Sequence, residues 1–144
     1  MTYTASEAAN MATVRKFFAV GPSKGDLAAA DALLAERFSL HVPLPIEGPG
    51  IEAINNVITT CRAAFHGLNV TIEDMMADGD KVTCRFTARG VHGGAFMGFP
   101  PTGRPIVMTG IEIFRLENGR IAELWGEANL MGLAQQLGML PSSA

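Results

Sequence analysis

The sequence predicts an α+β fold, with helices in the first half of the chain and a curved, mostly antiparallel sheet in the second half. Apolar residues recur at helical spacing as far as Phe65, and from Leu68 onward they alternate with polar residues between turn signals. One strand, from Ile106 to Leu116, is apolar on both of its faces. An antiparallel sheet normally leaves one face to water, so we expect the helices to cover one face and a second element to cover the other.

Three helices are expected before the main strands. The motif TASE at residues 4–7 is typical of a capping box and predicts a first helix from about Thr4 to Val20, which Gly21-Pro22 ends. Asp26 is a candidate N-cap for a short second helix, whose apolar residues are Leu27, Ala30, Leu33 and Leu34. A short strand from Phe38 to Pro43 and the loop PLPIEGPG then lead to a third helix, with an apolar face of Ile51, Ile54, Ile58, Cys61 and Phe65.

The second half of the chain reads as strands joined by turns. Alternation through Leu68, Val70 and Ile72 predicts a strand that ends at the turn Asp78-Gly79-Asp80. Further strands are expected at Val82 to His92, at Ile106 to Leu116 and, after the hairpin turn Glu117-Asn118-Gly119, at Arg120 to about Glu127. The segment NLMGLAQQLGML at the end of this run is expected to be a short helix or a loop.

The two faces of the strand from Ile106 to Leu116 suggest a homodimer. Val107, Ile111 and Ile113 point one way, whereas Met108, Gly110, Glu112 and Phe114 point the other way. If the helices cover the second set, a second copy of the protein is the simplest cover for the first. The alternative is a monomer in which the C-terminal tail covers that outer face.

Composition limits the function classes. The chain of 144 residues fits one domain, residues 1–144, and its 48% hydrophobic and 17% charged residues are ordinary for a globular protein. The net charge of −3, without a basic cluster, argues against a nucleic-acid partner. No apolar run approaches membrane-spanning length, and the N-terminus does not resemble a secretion signal. Cys61 and Cys84 lie in apolar contexts, so we expect reduced thiols and a cytoplasmic location.

The sequence lacks the usual signatures of cofactor chemistry. His41, His66 and His92 do not stand at metal-ligand spacing, so we expect no metal site. There is no phosphate loop, no dinucleotide fingerprint and no G-x-S-x-G motif. We therefore expect a protein that works on a small apolar ligand without a cofactor.

Glu112 is the main candidate for a catalytic residue. It shares a face with apolar neighbours, where burial raises a carboxyl pKa toward the range of a general acid or base. The structural alternative is an ion pair with Arg85 or Arg89, although these two arginines belong by parity to the other face of their strand.

Histidines and large apolar residues supply the remaining candidates. His92, the second candidate for a catalytic residue, ends an apolar face and suits either a donor to a ligand carbonyl or a structural role in the loop. His66 is expected at the end of the third helix, where a cation suits the helix dipole. We further expect substrate contacts from the pocket side of the fold, at Phe18, His41, Phe86, Met97, Met108 and Phe114.

Most of the chain resembles the SnoaL-like polyketide cyclase family of the nuclear transport factor 2-like superfamily. The resemblance is carried by GFPPTGRP, by TGIEIFRLENGRIAELWG and by GLAQQLG. It implies a cone-shaped α+β barrel with an apolar pocket, and a cofactor-independent cyclase or isomerase that moves protons on a carbonyl-bearing molecule. A binding protein without catalysis and an epoxide-hydrolase-like enzyme, which needs a second carboxylate and an arginine, are the alternatives.

The resemblance also assigns roles to single positions. It places Gly126 where the cyclases carry an acidic Asp on the last strand, and Asn129 where many broader relatives carry one. It places Glu112 where the cyclases have a histidine that faces the pocket. Asn129 and Glu127 are therefore candidates to replace the missing acid, and Asn129 is a further expected substrate contact.

Overall fold

The computed structural model describes residues 2–46 and 48–140, so Met1, residues 141–144 and Glu47 of the predicted loop lie outside the described residues. The described chain forms four helices and five strands in the order α1 (Ala5–Val20), α2 (Leu27–Asp31), β1 (Leu34–His41), α3 (Gly50–Ala64), β2 (Phe65–Asp78), β3 (Lys81–His92), β4 (Pro105–Glu117), β5 (Arg120–Ala128) and α4 (Leu130–Gln136).

The strands build one curved sheet in the order β1-β5-β4-β3-β2. Only β1 pairs in parallel, with β5, and the other three pairings are antiparallel. This confirms the expected α+β class and the mostly antiparallel sheet. Because β1 and β2 are the two ends of the strand order, the sheet stays open instead of closing into a complete barrel.

The start of α1 confirms the predicted capping box. The Thr4 hydroxyl accepts the Glu7 N–H at 3.1 Å, and the Glu7 carboxylate accepts the Thr4 N–H at 2.9 Å. Glu7 also accepts the N–H of Gly79 at 2.8 Å, which ties the beginning of the helix to the turn between β2 and β3. Val14, Phe17 and Phe18 then turn into the core, so the cap fixes the helix across the sheet.

The second predicted helix is too long. α2 ends at Asp31, and Leu34, which the apolar spacing assigned to the helix, instead begins β1. Leu33 accepts the N–H of Ile121 at 2.8 Å, and Leu34 pairs with Ile121 across the parallel contact with β5. Pairing with a distant strand therefore overrides the local helical pattern, and β1 starts four positions before the predicted Phe38.

The end of α3 also differs from the prediction. The helix stops at Ala64, and Phe65 already has extended backbone angles and pairs with His92 on β3. His66 consequently lies in β2 and does not cap the helix dipole, which corrects its predicted position. The helix and the strand follow each other without a loop because Phe65 both closes the last helical turn on Cys61 and begins the sheet ladder.

The faces of β4 follow the predicted alternation. Phe114 is fully buried against Phe17 and Phe18, whereas Val107, Ile111 and Ile113 remain 45%, 53% and 37% exposed. The described part of the tail, through Leu140, does not cover these three residues. A second copy of the chain as their cover stays a prediction.

Candidate active site

An apolar cavity of about 130 Å³ lies between the helices and the inner face of the sheet. An engineered apolar cavity of about 150 Å³ holds a benzene molecule, so the space here suits roughly one aromatic ring. Among its walls are α1, α3, four strands and α4, represented by Phe17, Phe18, Ile54, Ile58, Cys61, Phe65, Phe86, Ala88, Phe96, Ile106, Met108, Glu112, Leu124, Gly126, Leu130 and Leu133.

Glu112 brings a carboxylate into this apolar space from the middle of β4. Its cross-strand neighbours are Cys84 on β3 and Gly126 on β5, and neither carries a positive charge. Within the described residues its carboxylate has neither a hydrogen bond nor an ion pair. Burial without a compensating charge raises the pKa of Glu112 to about 8.

The expected structural alternative for Glu112 is not observed in the described part of the chain. Arg85 pairs with Ile111 and Arg89 pairs with Val107, and both arginines are exposed on the outer face of the sheet. The sheet itself therefore separates these cations from the carboxylate of Glu112.

Cys61 and Cys84 are free thiols in the structure. Cys61 lines the cavity, and burial raises its pKa to about 11. Cys84 is buried beside Glu112, and burial together with the nearby carboxylate raises its pKa to about 12. Neither thiol supplies a thiolate near neutral pH, so nucleophilic chemistry at these positions is disfavoured.

Two glycines shape the surroundings of the acid. A Cβ at Gly110 would collide with the ring of Phe86, so Gly110 makes room for this ring. Gly126, directly across from Glu112 on β5, leaves room for the side chain of Glu112. A Cβ there would lie 3.4 Å from Cγ and 3.6 Å from Oε1 of Glu112. The side chain of Glu112 therefore passes over Gly126.

His92 is completely buried at the end of β3 but is not part of the cavity wall. Its Nδ1 accepts the N–H of Thr102 at 3.2 Å and lies 3.0 Å from the Thr102 hydroxyl. Since a backbone N–H can only donate, the hydrogen of the neutral ring belongs on Nε2. Nε2 is buried without a partner among the described residues. The ring lies beside that of Phe65, with 5.7 Å between the centroids, and Phe65 itself lines the cavity.

The other predicted contacts divide into two groups. Phe18, Phe86 and Met108 line the cavity. His41 lies outside it, on the outer face, where Nε2 contacts Glu123 at 2.7 Å and the ring stacks on Trp125.

Phe114, Asn129 and Met97 are also absent from the cavity wall. Phe114 belongs to the core behind it. Asn129 caps α4 through the N–H of Gly132, so its side chain is already engaged. Met97 lines a separate surface groove beside the cavity.

The loop from Gly93 to Arg104 packs on the end of α3. The amides of Gly93 and Gly94 both donate to the carbonyl of Ala64 at 3.1 Å, and a Cβ at Gly94 would collide with the carbonyl of Ala63. These glycines thus allow the backbone of the loop to approach the end of α3 closely. The loop reaches the cavity through Phe96, which packs on Phe65.

The C-terminal helix α4 forms another part of the cavity wall. Leu130 and Leu133 of α4 line the space, and Gln136 anchors the helix to the edge of β4. The Gln136 side chain accepts the N–H of Val107 at 2.8 Å and donates to its carbonyl at 2.7 Å. One amide side chain thus makes the pair of hydrogen bonds that a neighbouring strand makes in a sheet. In the sequence, the helical spacing of Leu130, Leu133 and Leu137 is the signal that indicates the buried face of α4.

Neither a metal-binding cluster nor a membrane-spanning helix is present among the described residues. No group of three or more histidine, cysteine or acidic residues within residues 2–46 and 48–140 is arranged to hold a metal ion. No helix in the same ranges is long and apolar enough to cross a membrane.

Comparison with known proteins agrees with this architecture. The family profile of the SnoaL-like polyketide cyclases matches residues 12–137. TsrD of Streptomyces laurentii is 30% identical, with a TM-score of 0.83 over 96% of this chain and 100% of the other. IdmH of Streptomyces antibioticus, which carries a provisional assignment as a polyketide cyclase, is 33% identical. The match covers 90% of this chain and 98% of IdmH, with a TM-score of 0.79.

A more distant structure shows the same fold. The SnoaL-like protein of Jannaschia sp. CCS1 superimposes with a TM-score of 0.87 over 98% of this chain and 99% of its own, at 22% identity. This likeness shows that the two chains share the α+β fold, with helices packed against a curved, open sheet. No curated protein matches the chain.

Proposed function

The chain belongs to the SnoaL-like polyketide cyclase family, and we propose that it is a cofactor-independent enzyme of the cyclase or isomerase type. In this proposal, Glu112 moves a proton at the carbon next to a carbonyl group of a mostly apolar small molecule. The observation that carries the proposal is the carboxylate of Glu112, which lies on the inner face of the sheet in an apolar cavity and has its pKa raised to about 8. General acid–base catalysts work best when their pKa lies near the operating pH.

The raised pKa supports both halves of a proton transfer. At pH 7 about a tenth of the Glu112 carboxyl is ionised, since its pKa lies one unit higher. The ionised fraction is more basic than an ordinary carboxylate because it lies in a poorly solvating cavity, and it takes the proton from carbon. The protonated carboxyl that results is the form that burial favours, and it can return the proton to another carbon or to oxygen.

The register between β4 and β5 supports Glu112 as a replacement for the acid that the resemblance places at Gly126. The two residues are direct cross-strand partners, and the Glu112 side chain runs over the space that a side chain at 126 would enter. An acid carried by β4 thus reaches the region that an acid on β5 would occupy. Asn129 is less suited to this role because it caps α4.

A non-catalytic ligand-binding protein is the second candidate. The supporting observation is the low polarity of the cavity wall, in which Glu112 has no polar partner among the described residues. An epoxide hydrolase is less well supported because it needs a second acid. Glu127 also borders the cavity, but it pairs with Ile111, whose side chain is on the outer face.

Hydrogen–deuterium exchange at the carbon next to the carbonyl group of 2-tetralone tests the proposal without knowledge of the natural substrate. We expect the protein to accelerate the exchange, measured by proton NMR in deuterated buffer, and the Glu112→Gln variant to lose roughly 10²–10⁴-fold of that acceleration. Glu117→Gln is the matched control, because it removes an exposed acid from the same strand. Equal exchange in all three proteins and in buffer would favour the binding protein.

A further inference from the structure

The apolar strip on the outer face of β4 has charges of opposite sign on its two sides. The strip consists of Val107, Ile111 and Ile113, all of which are exposed. Within it, Ile111 pairs with Arg85 of β3 on one side and with Glu127 of β5 on the other. Paired residues of neighbouring strands share a face of the sheet, and both charged residues are exposed. A cation, an apolar side chain and an anion therefore lie in one row across three strands.

The two charges of this row have no ion-pair partner within the described part of the chain. The ion pairs found there join other residues. Asp74 is the cross-strand neighbour of Arg85 on β2, but the two side chains do not form an ion pair. Glu123, the other outer-face acid of β5, already has an ion pair with Arg115. Arg85 and Glu127 are thus the charges of opposite sign beside the strip that are left for a partner.

The centre of this surface is suited to burial against another protein. Ile113 pairs with Trp125 of β5, which is half-buried, so an aromatic ring widens the apolar strip. Interfaces commonly have an apolar and aromatic centre with charged residues at the rim. A second copy of the chain carries the same centre and both charges of the rim. The surface therefore complements itself if the two copies are turned so that unlike charges meet.

Two-fold symmetry allows two ways to place one outer face on another. With the axis parallel to β4, the β4 strands of the two copies face each other, and β3 of each copy lies over β5 of the other. Arg85 then lies over the partner's Glu127, once on each side of the axis. With the axis across the strands, β3 lies over β3 and β5 over β5, so no cation of β3 meets an anion of β5. Packed sheets are roughly 10 Å apart, a gap that extended arginine and glutamate side chains can bridge.

We propose that the outer face is the interface of a homodimer whose two-fold axis runs parallel to β4, and that ion pairs between Arg85 of one protomer and the partner's Glu127 set this orientation. The apolar strip provides most of the stability of the dimer. The ion pairs provide the orientation, because charge complementarity at an interface contributes more to specificity than to affinity. The proposal is independent of catalysis, since Glu112 lies on the other face of the sheet.

Charge reversal at the two positions tests the orientation. The dimer dissociation constant is measured by sedimentation equilibrium for the wild type, Arg85→Glu, Glu127→Arg and the variant with both changes. We expect each single reversal to weaken the dimer roughly 10- to 100-fold, because it places like charges over each other on both sides of the axis. The double variant should return to within about threefold of the wild type, because the pairs form again with reversed polarity. Arg15→Glu, on the exposed side of α1, is the charge-matched control and should leave the constant unchanged.

A neutral set of variants gives a result even if a charge reversal disturbs folding, which circular dichroism detects. Arg85→Gln and Glu127→Gln remove the same ion pairs, so the double Gln variant should dissociate no more readily than either single variant, whereas independent effects would multiply. A monomeric wild type would overturn the proposal. So would single reversals that associate as tightly as Arg15→Glu, a double reversal that stays as weak as the single ones, or multiplying effects in the Gln set.

Discussion

Two glutamates on neighbouring strands show opposite electrostatic behaviour. Glu112 faces the inner cavity from β4, and burial raises its pKa to about 8. Glu123 lies on the outer face of β5, where the hydrogen bond from His41 and the contacts with Arg115 lower its pKa. Glu123 thus has the partners His41 and Arg115 on a face where water already stabilises charge, whereas Glu112 has no partner among the described residues, at a place where water is scarce. This arrangement costs stability at Glu112, and we interpret it as the requirement of a proton carrier.

The largest expected difference between the two glutamates is in the pH dependence of stability. The folded-state pKa of Glu112 is raised, so its contribution to stability is fully present below about pH 4.3 and is lost as pH rises toward 8. We expect Glu112→Gln to match the wild type near pH 4 and to exceed it at pH 8, by on the order of 4 kcal/mol in free energy of unfolding from urea titrations.

Glu123→Gln should show the opposite trend. Its lowered pKa stabilises the fold above the ordinary pKa of a glutamate, and this contribution is lost as pH falls. The Glu123→Gln variant should therefore have a lower free energy of unfolding than the wild type at neutral pH, and this difference should vanish in acid. A Glu112→Gln variant that is clearly less stable than the wild type at pH 8 would mean that the carboxylate has a structural partner.

The next largest expected effect concerns self-association through the outer face of the sheet. Val107, Ile111 and Ile113 form an exposed apolar strip, and we expect a homodimer of about twice 15.3 kDa in sedimentation at micromolar concentration. Ile111→Lys should weaken this association at least about a hundredfold and leave the fold intact, because the side chain is exposed. Thr59→Lys, on the exposed side of α3, is the charge-matched control. A monomeric wild type would contradict the dimer.

Features set by local backbone rules were predictable from the sequence. Alternation with period two assigned Glu112 and Ile111 to opposite faces of β4, because successive residues of a strand must point to opposite sides. The capping box of α1 was equally readable, since Thr4 and Glu7 satisfy each other without any distant partner.

Features that depend on residues far away in the chain were not predictable from the sequence. The start of β1 at Leu34 depends on pairing with Ile121, and the role of Gly110 depends on the ring of Phe86. The anchoring of α4 by Gln136 similarly needs the unpaired edge of β4 at Val107. His41 was misplaced for the same reason, because Glu123 and Trp125, more than eighty residues later, hold it on the outer face.

Titration of the Glu112 carboxyl group is the most direct test of the central claim. The carboxyl carbon is followed by NMR in protein labelled with ¹³C-glutamate, and its signal is assigned by its disappearance in Glu112→Gln. The account predicts a midpoint at about pH 8, well above the ordinary pKa of a glutamate side chain. A midpoint near the ordinary value of about 4.3 would show that the carboxylate is solvated or paired, and would contradict a proton carrier isolated in an apolar cavity.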